Sequence, residues 1–170
     1  YIPCKVNIDK PESLTQLTFD NTNHQVHFSK SFKYFVDIHE RVDMVPRIVL
    51  KNRKGKEIME LEKPDIRRAL EIGWKAPERF KVKAADGVTD LYGVMWKPFD
   101  FDSTKVYPII SSVYPGPFYE YVPTQFRLIH DDNTRLAQLG FIVIAVGHRG
   151  GTPMRGKFYH TYSHGRLRDY

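Results

Sequence analysis

The sequence has almost no cysteine and no long apolar run, and each absence excludes a class of protein. Cys4 is the single cysteine among 170 residues, which excludes an internal disulfide and, taken alone, a cysteine-rich zinc site. No run of about 18 apolar residues occurs, so the sequence predicts no membrane-spanning helix. The start at Tyr1 lacks the pattern of a signal peptide and an initiator methionine, and we expect the chain to be cut from something longer.

Acidic residues are outnumbered, with 20 Asp and Glu against 26 Lys and Arg and a net charge of +6. Such an excess can indicate a nucleic acid or an acidic membrane surface as partner. Here the positive charge is spread over both halves of the chain, and its densest cluster, 51–56, flanks Gly55 in a predicted hairpin turn. We therefore expect a solvated turn there, and no nucleic-acid partner. The hydrophobic share of 41% is enough to build a folded core.

The first part of the chain predicts short strands separated by turn residues. The segment from Tyr34 to Glu40 alternates apolar and polar residues after its aromatic start, which is typical of a half-buried strand. Four consecutive antiparallel strands form a meander, and such a meander is one blade of a β-propeller. A small independent meander sheet is the alternative. The predicted strands are 1–8, 15–19, 24–29, 34–40, 47–52 and 57–62, with turns at 9–13 and 42–46.

The pattern changes at Pro64, where 64–72 predicts a helix that Gly73 ends, followed by a linker. Further strands are predicted at 79–84, 90–96, 106–113 and 141–146, with a helix at 124–139 before the last of them. Strand, helix and strand in this order are typical of a parallel α/β sheet. Ligands of such sheets meet the loops at the carboxyl ends of the strands, and Tyr114 lies at such an end.

Three kinds of chemistry can be weighed from the residues. Gly147-His-Arg-Gly-Gly151 follows a strand but matches no phosphate-binding motif. His148, His160 and His164 lie near one another in sequence, but no acidic residue completes a metal site, so we expect structural histidines and neither metal nor cofactor. The sequence contains no Gly-x-Ser-x-Gly nucleophile motif. Tyr114 is either an oxyanion donor or a packed loop aromatic.

The second part of the chain contains a series of characteristic segments, which are Pro77-Glu-Arg-Phe80, Asp90-Leu-Tyr-Gly-Val-Met-Trp-Lys-Pro98, Tyr107-Pro-Ile-Ile110, Val113-Tyr-Pro-Gly-Pro117 and Leu139-Gly-Phe-Ile-Val-Ile-Ala-Val-Gly-His-Arg-Gly-Gly-Thr-Pro153. An earlier stretch contains Phe28-Ser29, Lys33-Tyr-Phe-Val36 and Asp43 to Pro46. In their order and spacing, the segments of the second part resemble one family, the dipeptidyl peptidase IV branch of the prolyl oligopeptidase serine peptidases. The earlier stretch resembles the last propeller blade of the same proteins.

The resemblance implies a mixed fold, in which an antiparallel propeller-blade meander precedes the N-terminal half of an α/β-hydrolase sheet. The implied domains are the end of a β-propeller at 1–63, a linker helix at 64–76 and the front of a catalytic domain at 77–170. The implied activity is cleavage of peptides after proline or alanine near the N-terminus. Relatives with this architecture are often exported in bacteria, but the residues leave the compartment open.

The resemblance also implies roles for single residues. Tyr114 occupies the position of the tyrosine that lends its hydroxyl to the oxyanion hole. Arg149 matches the arginine of an Asp-Gly-Arg-Gly loop, where it is mainly structural. His148 stands where that loop has aspartate, so a salt bridge from this position is in doubt.

The catalytic serine, aspartate and histidine of the family find no match in these 170 residues. We therefore expect the chain to be inactive alone, with peptide as the substrate of the parent protein. The alternative is a non-catalytic interaction module that keeps the blade and the half-sheet as a binding surface. Unpaired strand edges, that of 106–113 above all, predict self-association.

Overall fold

The computed structural model describes residues 1–114, 116 and 118–165. The predicted turn prolines Pro115 and Pro117, and the end of the chain from residue 166, lie outside the described residues. The fold is mostly β-sheet, largely antiparallel, with a few short helices. The chain divides into two compact units, one formed by 1–71 with 124–127 and the other by 72–123 with 128–170.

The first unit contains a two-stranded hairpin and a four-stranded antiparallel meander in the order β3-β4-β5-β6. The meander confirms the prediction of four consecutive antiparallel strands, because each strand pairs with the next along the chain. The strands are β1 (Cys4–Asn7), β2 (Lys10–Gln16), β3 (Asn23–Phe28), β4 (Tyr34–Arg41), β5 (Met44–Asn52) and β6 (Glu57–Glu62).

Two predicted turns in this unit were too long. The chain reverses within two residues after Asn7, so Asn7 pairs with Lys10 and β2 occupies most of the predicted turn at 9–13. The backbone N–H of Asp9 donates to Asn7 Oδ1 at 3.0 Å, which closes this reversal. The strand predicted at 15–19 accordingly ends at Gln16. In the same way Arg41 pairs with Met44, so that β5 begins inside the predicted turn at 42–46.

Beyond Phe35, the side chains of β4 that point into the core are polar and not apolar. The pattern would place Val36 and Ile38 in the core, yet these two are half-buried, while Asp37 is fully buried and His39 is 6% exposed. A buried carboxylate is costly unless it is paired and hydrogen-bonded. The inward face of β4 therefore requires partners for its polar groups.

Asp37 finds these partners on the neighbouring strands. Lys51 Nζ donates to Asp37 Oδ2 at 2.7 Å, and His24 Nδ1 lies 2.9 Å from Oδ1. His39 Nδ1 lies 3.6 Å from Oδ2, beyond hydrogen-bond distance. Removing one partner of such a buried pair typically costs about 3–5 kcal/mol, so Lys51 and Asp37 stabilise the sheet only together.

The second unit is built on a four-stranded sheet in the order β7-β8-β10-β9. β9 and β10 are parallel and the other pairs antiparallel, which confirms the predicted strand–helix–strand segment. The elements are β7 (Glu78–Lys83), β8 (Asp90–Trp96), β9 (Ile109–Ser111), α2 (Asp131–Gln138), β10 (Ile142–Val146), a 3-10 turn (Pro153–Arg155) and α3 (Lys157–His160), while α1 (Arg67–Glu71) precedes this unit.

Three elements are shorter than predicted. β9 covers three residues of the predicted 106–113. The helix predicted at 124–139 begins at Asp131, because the 124–127 segment packs with the first unit, where Asn23 Nδ2 donates to the carbonyl of Thr124 at 2.8 Å. The helix predicted from Pro64 begins at Arg67, whose N–H donates to Asp65 Oδ1 at 2.9 Å. Among the described residues, no helix is long and apolar enough to cross a membrane.

His39 predicts a pH dependence for the stability of the first unit. Burial is the largest effect on its imidazole and lowers the pKa, and the positive charges of Lys51 and Arg47 lower it further. The carboxylates of Asp37 and Asp20 raise the pKa, but not enough to cancel this. Because the folded-state pKa lies below the value of about 6.5 in the unfolded chain, the unfolded state takes up the proton first as the pH falls. We expect the free energy of unfolding to decrease as the pH falls below about 6.5.

The measurement is urea unfolding of the chain at pH 7.5 and at pH 5.5, followed by circular dichroism. His39→Gln removes the titrating group. The free energy of unfolding of this variant should therefore decrease less between pH 7.5 and pH 5.5 than that of the wild type. An equal loss in both proteins would contradict the role of His39.

Candidate active site

Parallel pairing brings two loops to one edge of the second sheet. Ile109 of β9 pairs with Ile142 of β10, so the carboxyl ends of both strands point the same way. Tyr114 follows the end of β9 by three residues, and Gly147 follows β10 directly. The carboxyl edge of a sheet that contains parallel strands is where ligands bind, so this edge is the candidate site.

Tyr114 lies in an aromatic cluster at this edge, with Tyr119 and Tyr121. The ring of Tyr114 is 6.1 Å from that of Tyr121, which is 6.2 Å from the ring of Tyr119. Tyr114 is 65% exposed, so it is accessible to a ligand while one side of its ring has a neighbour. The role of Tyr114 as an oxyanion donor stays a prediction.

Arg149 is held by a carboxylate from a distant turn. Its guanidinium donates to Asp86 Oδ2 at 2.7 Å and lies 3.6 Å from the centre of the Tyr162 ring. The sequence left a salt bridge from His148 in doubt, and the structure pairs Arg149 with Asp86 of the turn between β7 and β8. The sequence does not indicate this pair, because nothing local links Asp86 to an arginine 63 residues away.

Asp86 is strongly acidic. The hydrogen bond from the Thr89 hydroxyl, at 2.6 Å, is the largest cause that lowers its pKa to about 2. The backbone N–H groups of Thr89 and Val88 add to this effect, and Arg149 contributes least. Asp86 is therefore ionised throughout the neutral range, as its pairing with Arg149 requires.

Sequence reasoning also missed a contact between Glu120 and Tyr159. The Tyr159 hydroxyl donates to Glu120 Oε1, and burial together with this carboxylate raises the pKa of Tyr159 to about 12. The guanidinium of Arg155 lies 4.1 Å from the centre of the Tyr159 ring. Like the pair of Asp86 and Arg149, this contact joins residues that are distant in sequence, and no sequence motif predicts it.

The histidines weighed as metal ligands form no three-residue cluster among the described residues. Over 1–114, 116 and 118–165, neither His148, His160 nor His164 belongs to a cluster of three ligand-type side chains. His24, Asp37 and His39 of the first unit form such a cluster, with ligand atoms within 4.8 Å of one another. Lys51 Nζ, however, already places a positive charge 2.7 Å from Asp37 there. A second cation at that point would be repelled, so this cluster is better explained as a buried ion-pair network.

Two variants can separate the causes of the low pKa of Asp86. Thr89→Val removes the hydroxyl donor, and Arg149→Met removes the charge. We expect Thr89→Val to raise the pKa of Asp86 more than Arg149→Met does, because the hydrogen bond is the larger cause. The measurement is carboxyl ¹³C NMR titration of Asp86 in the three proteins. A larger shift in Arg149→Met would show that the ion pair dominates instead.

Known proteins resemble the chain over part of their length. No family model matches the chain. Over 83 residues, 48% of the chain, it is 34% identical to dipeptidyl peptidase 8 of mouse and of human, and the match spans only 9% of those proteins. The matched segment thus spans only a small part of the length of these relatives.

Solved structures match over a longer stretch. A crystal structure from Bacteroides ovatus, assigned as a dipeptidyl aminopeptidase IV, matches 96% of the chain with a TM-score of 0.78 and 28% identity, over 23% of its own length. Dipeptidyl peptidase 4 of Porphyromonas gingivalis matches 91% of the chain with a TM-score of 0.70 and 24% identity, over 22% of its length, and supports the fold. Both kinds of comparison therefore show the same likeness: the chain is similar to part of the dipeptidyl peptidases.

Proposed function

We propose that the chain is part of a serine exopeptidase that releases dipeptides after proline or alanine near the N-terminus of a peptide. In this proposal the four-stranded meander of the first unit is a propeller blade, and the second sheet is the front of an α/β-hydrolase domain; the strand orders of the two sheets support it. The domains proposed from the sequence, at 1–63, 64–76 and 77–170, belong to this proposal. The likeness to dipeptidyl peptidases supports it.

The proposed mechanism depends on the position of Tyr114. Attack on a peptide carbonyl places negative charge on its oxygen, and a preorganised hydroxyl that donates to this oxygen lowers the barrier. Tyr114 follows the carboxyl end of β9, is largely exposed and is supported by Tyr121. In this proposal its hydroxyl donates to the oxyanion, while Arg149 fixes the neighbouring loop through Asp86. The 170 residues contain no Gly-x-Ser-x-Gly motif, so the nucleophile is not among them.

Tyr114→Phe tests this role in the protein expressed from its complete reading frame. The substrate is an alanyl-prolyl p-nitroanilide, and the measured quantities are kcat and KM. Loss of an oxyanion donor should lower kcat by about 10²–10³-fold and leave KM nearly unchanged. Tyr119→Phe is the matched control, because it removes a hydroxyl from the same aromatic cluster, and its kcat should stay close to the wild type.

Unchanged kcat in Tyr114→Phe would remove the oxyanion role. A wild-type protein that hydrolyses no dipeptidyl substrate would overturn the peptidase proposal itself. In that case the second candidate, a non-catalytic interaction module, would account better for the many large apolar side chains that are exposed on the chain.

The isolated chain has a second proposed behaviour, which is self-association. β9 is the last strand of its sheet and pairs only with β10 among the described residues, and Ile109 on it is 64% exposed. An open strand edge with apolar side chains favours pairing with another chain. We expect sedimentation of the 170 residues to show concentration-dependent association, and a strictly monomeric chain at high concentration would contradict this.

A further inference from the structure

A polar contact joins the segments that follow β9 and β10. The hydroxyl of Tyr159, in α3, donates to Glu120 Oε1, and the two residues are 39 positions apart. Tyr159 is 8% exposed, so its ring is anchored inside the second unit. Glu120 is half-buried and lies between Tyr119 and Tyr121 of the aromatic cluster. The contact therefore attaches this cluster to the buried side of the sheet edge.

Two features of the sequence make this contact possible. Gly147 has no side chain, and a Cβ at this position would overlap the Glu120 carboxylate. Arg155 lies against the face of the Tyr159 ring and donates to the carbonyl of Asp90 at 2.7 Å. Gly147 thus provides room for Glu120, and Arg155 ties the Tyr159 ring to β8.

The contact reaches Tyr114 through Tyr121. The N–H of Val122 donates to the carbonyl of Glu120 at 2.7 Å, so the backbone around Tyr121 is turned tightly where Glu120 is anchored. The Tyr121 ring lies 6.1 Å from the Tyr114 ring, a separation at which aromatic rings attract each other. A rigid anchor at Glu120 therefore limits where the Tyr114 ring can lie.

We infer that Glu120 and Tyr159 are positioning residues, which hold Tyr121 against Tyr114 and so fix the direction of the Tyr114 hydroxyl. This inference rests on the proposed function, in which that hydroxyl donates to the oxyanion. The phenol of Tyr159 is protonated at neutral pH, because burial and Glu120 raise its pKa to about 12, and it is therefore a constant donor to the carboxylate. Neither residue is required to touch the substrate.

Kinetics of the protein expressed from its complete reading frame separate positioning from general stability. Tyr159→Phe removes only the donor, and Glu120→Ala removes the acceptor. Each should lower kcat about tenfold with KM within about twofold, since misplacing a catalytic group by a fraction of an ångström weakens mainly the transition state. Glu120→Gln keeps an accepting oxygen and should restore most of the activity. Tyr92→Phe is the matched control, because the Tyr92 ring also lies near Arg155, with its centre 5.1 Å from the guanidinium, and it should leave kcat unchanged.

The double variant gives the sharper result. If Tyr159 acts through Tyr114, adding Tyr159→Phe to Tyr114→Phe should cost no more than about a further twofold in kcat. A full tenfold loss in both backgrounds would overturn the inference, as would unchanged kcat in Tyr159→Phe alone.

A measurement without turnover keeps this inference distinct from the proposed function. With 3-fluorotyrosine incorporated at position 114, the ¹⁹F resonance should shift in Tyr159→Phe and in Glu120→Ala but not in Tyr92→Phe. If the resonance shifts in a protein that hydrolyses no substrate, the proposed peptidase function is wrong, but Glu120 and Tyr159 still position Tyr114. A resonance that stays in place in both variants would overturn the positioning, even in an active enzyme.

Discussion

The parallel pairing of β9 with β10 is the constraint on which the candidate site depends. Parallel strands cannot be joined by a tight turn, and the crossover that contains α2 supplies the long connection they need. Their carboxyl ends then lie at the same edge, so that Tyr114 and the loop from Gly147 to Gly151 both follow strands that end there. With antiparallel pairing, the same two segments would lie at opposite edges of the sheet, and no common site would form.

Polar contacts with residues distant in sequence then hold the loops that follow β9 and β10 in place. Arg149 is held by Asp86, from the turn between β7 and β8, and Glu120 by Tyr159 of α3. Each contact joins a loop of this edge to an element from another part of the chain. The contact of Glu120 with Tyr159 anchors the segment that carries Tyr119 and Tyr121, as the role proposed for the Tyr114 hydroxyl would require.

Local patterns predicted the elements better than their ends and their contacts. The meander from β3 to β6 and the strand–helix–strand segment could be predicted, because period-two alternation and turn residues act over a few positions. Asp37 and His39 could not be placed inward, since their burial depends on Lys51 and His24 of other strands. The late start of α2 and the pairing of Asp86 with Arg149 likewise depend on residues far away in sequence. The resemblance indicated Tyr114 and Arg149, but no local signal indicates Glu120 and Tyr159.

The most direct test of the central claim, that this edge belongs to a serine peptidase, is fluorophosphonate labelling of the protein expressed from its complete reading frame. Only a serine activated in a folded site reacts rapidly with this probe. We expect one adduct, on the serine of a Gly-x-Ser-x-Gly motif, that is suppressed by an alanyl-prolyl ligand and absent after heat denaturation. A folded protein that acquires no adduct would contradict the account and leave the binding module as the better explanation of the fold.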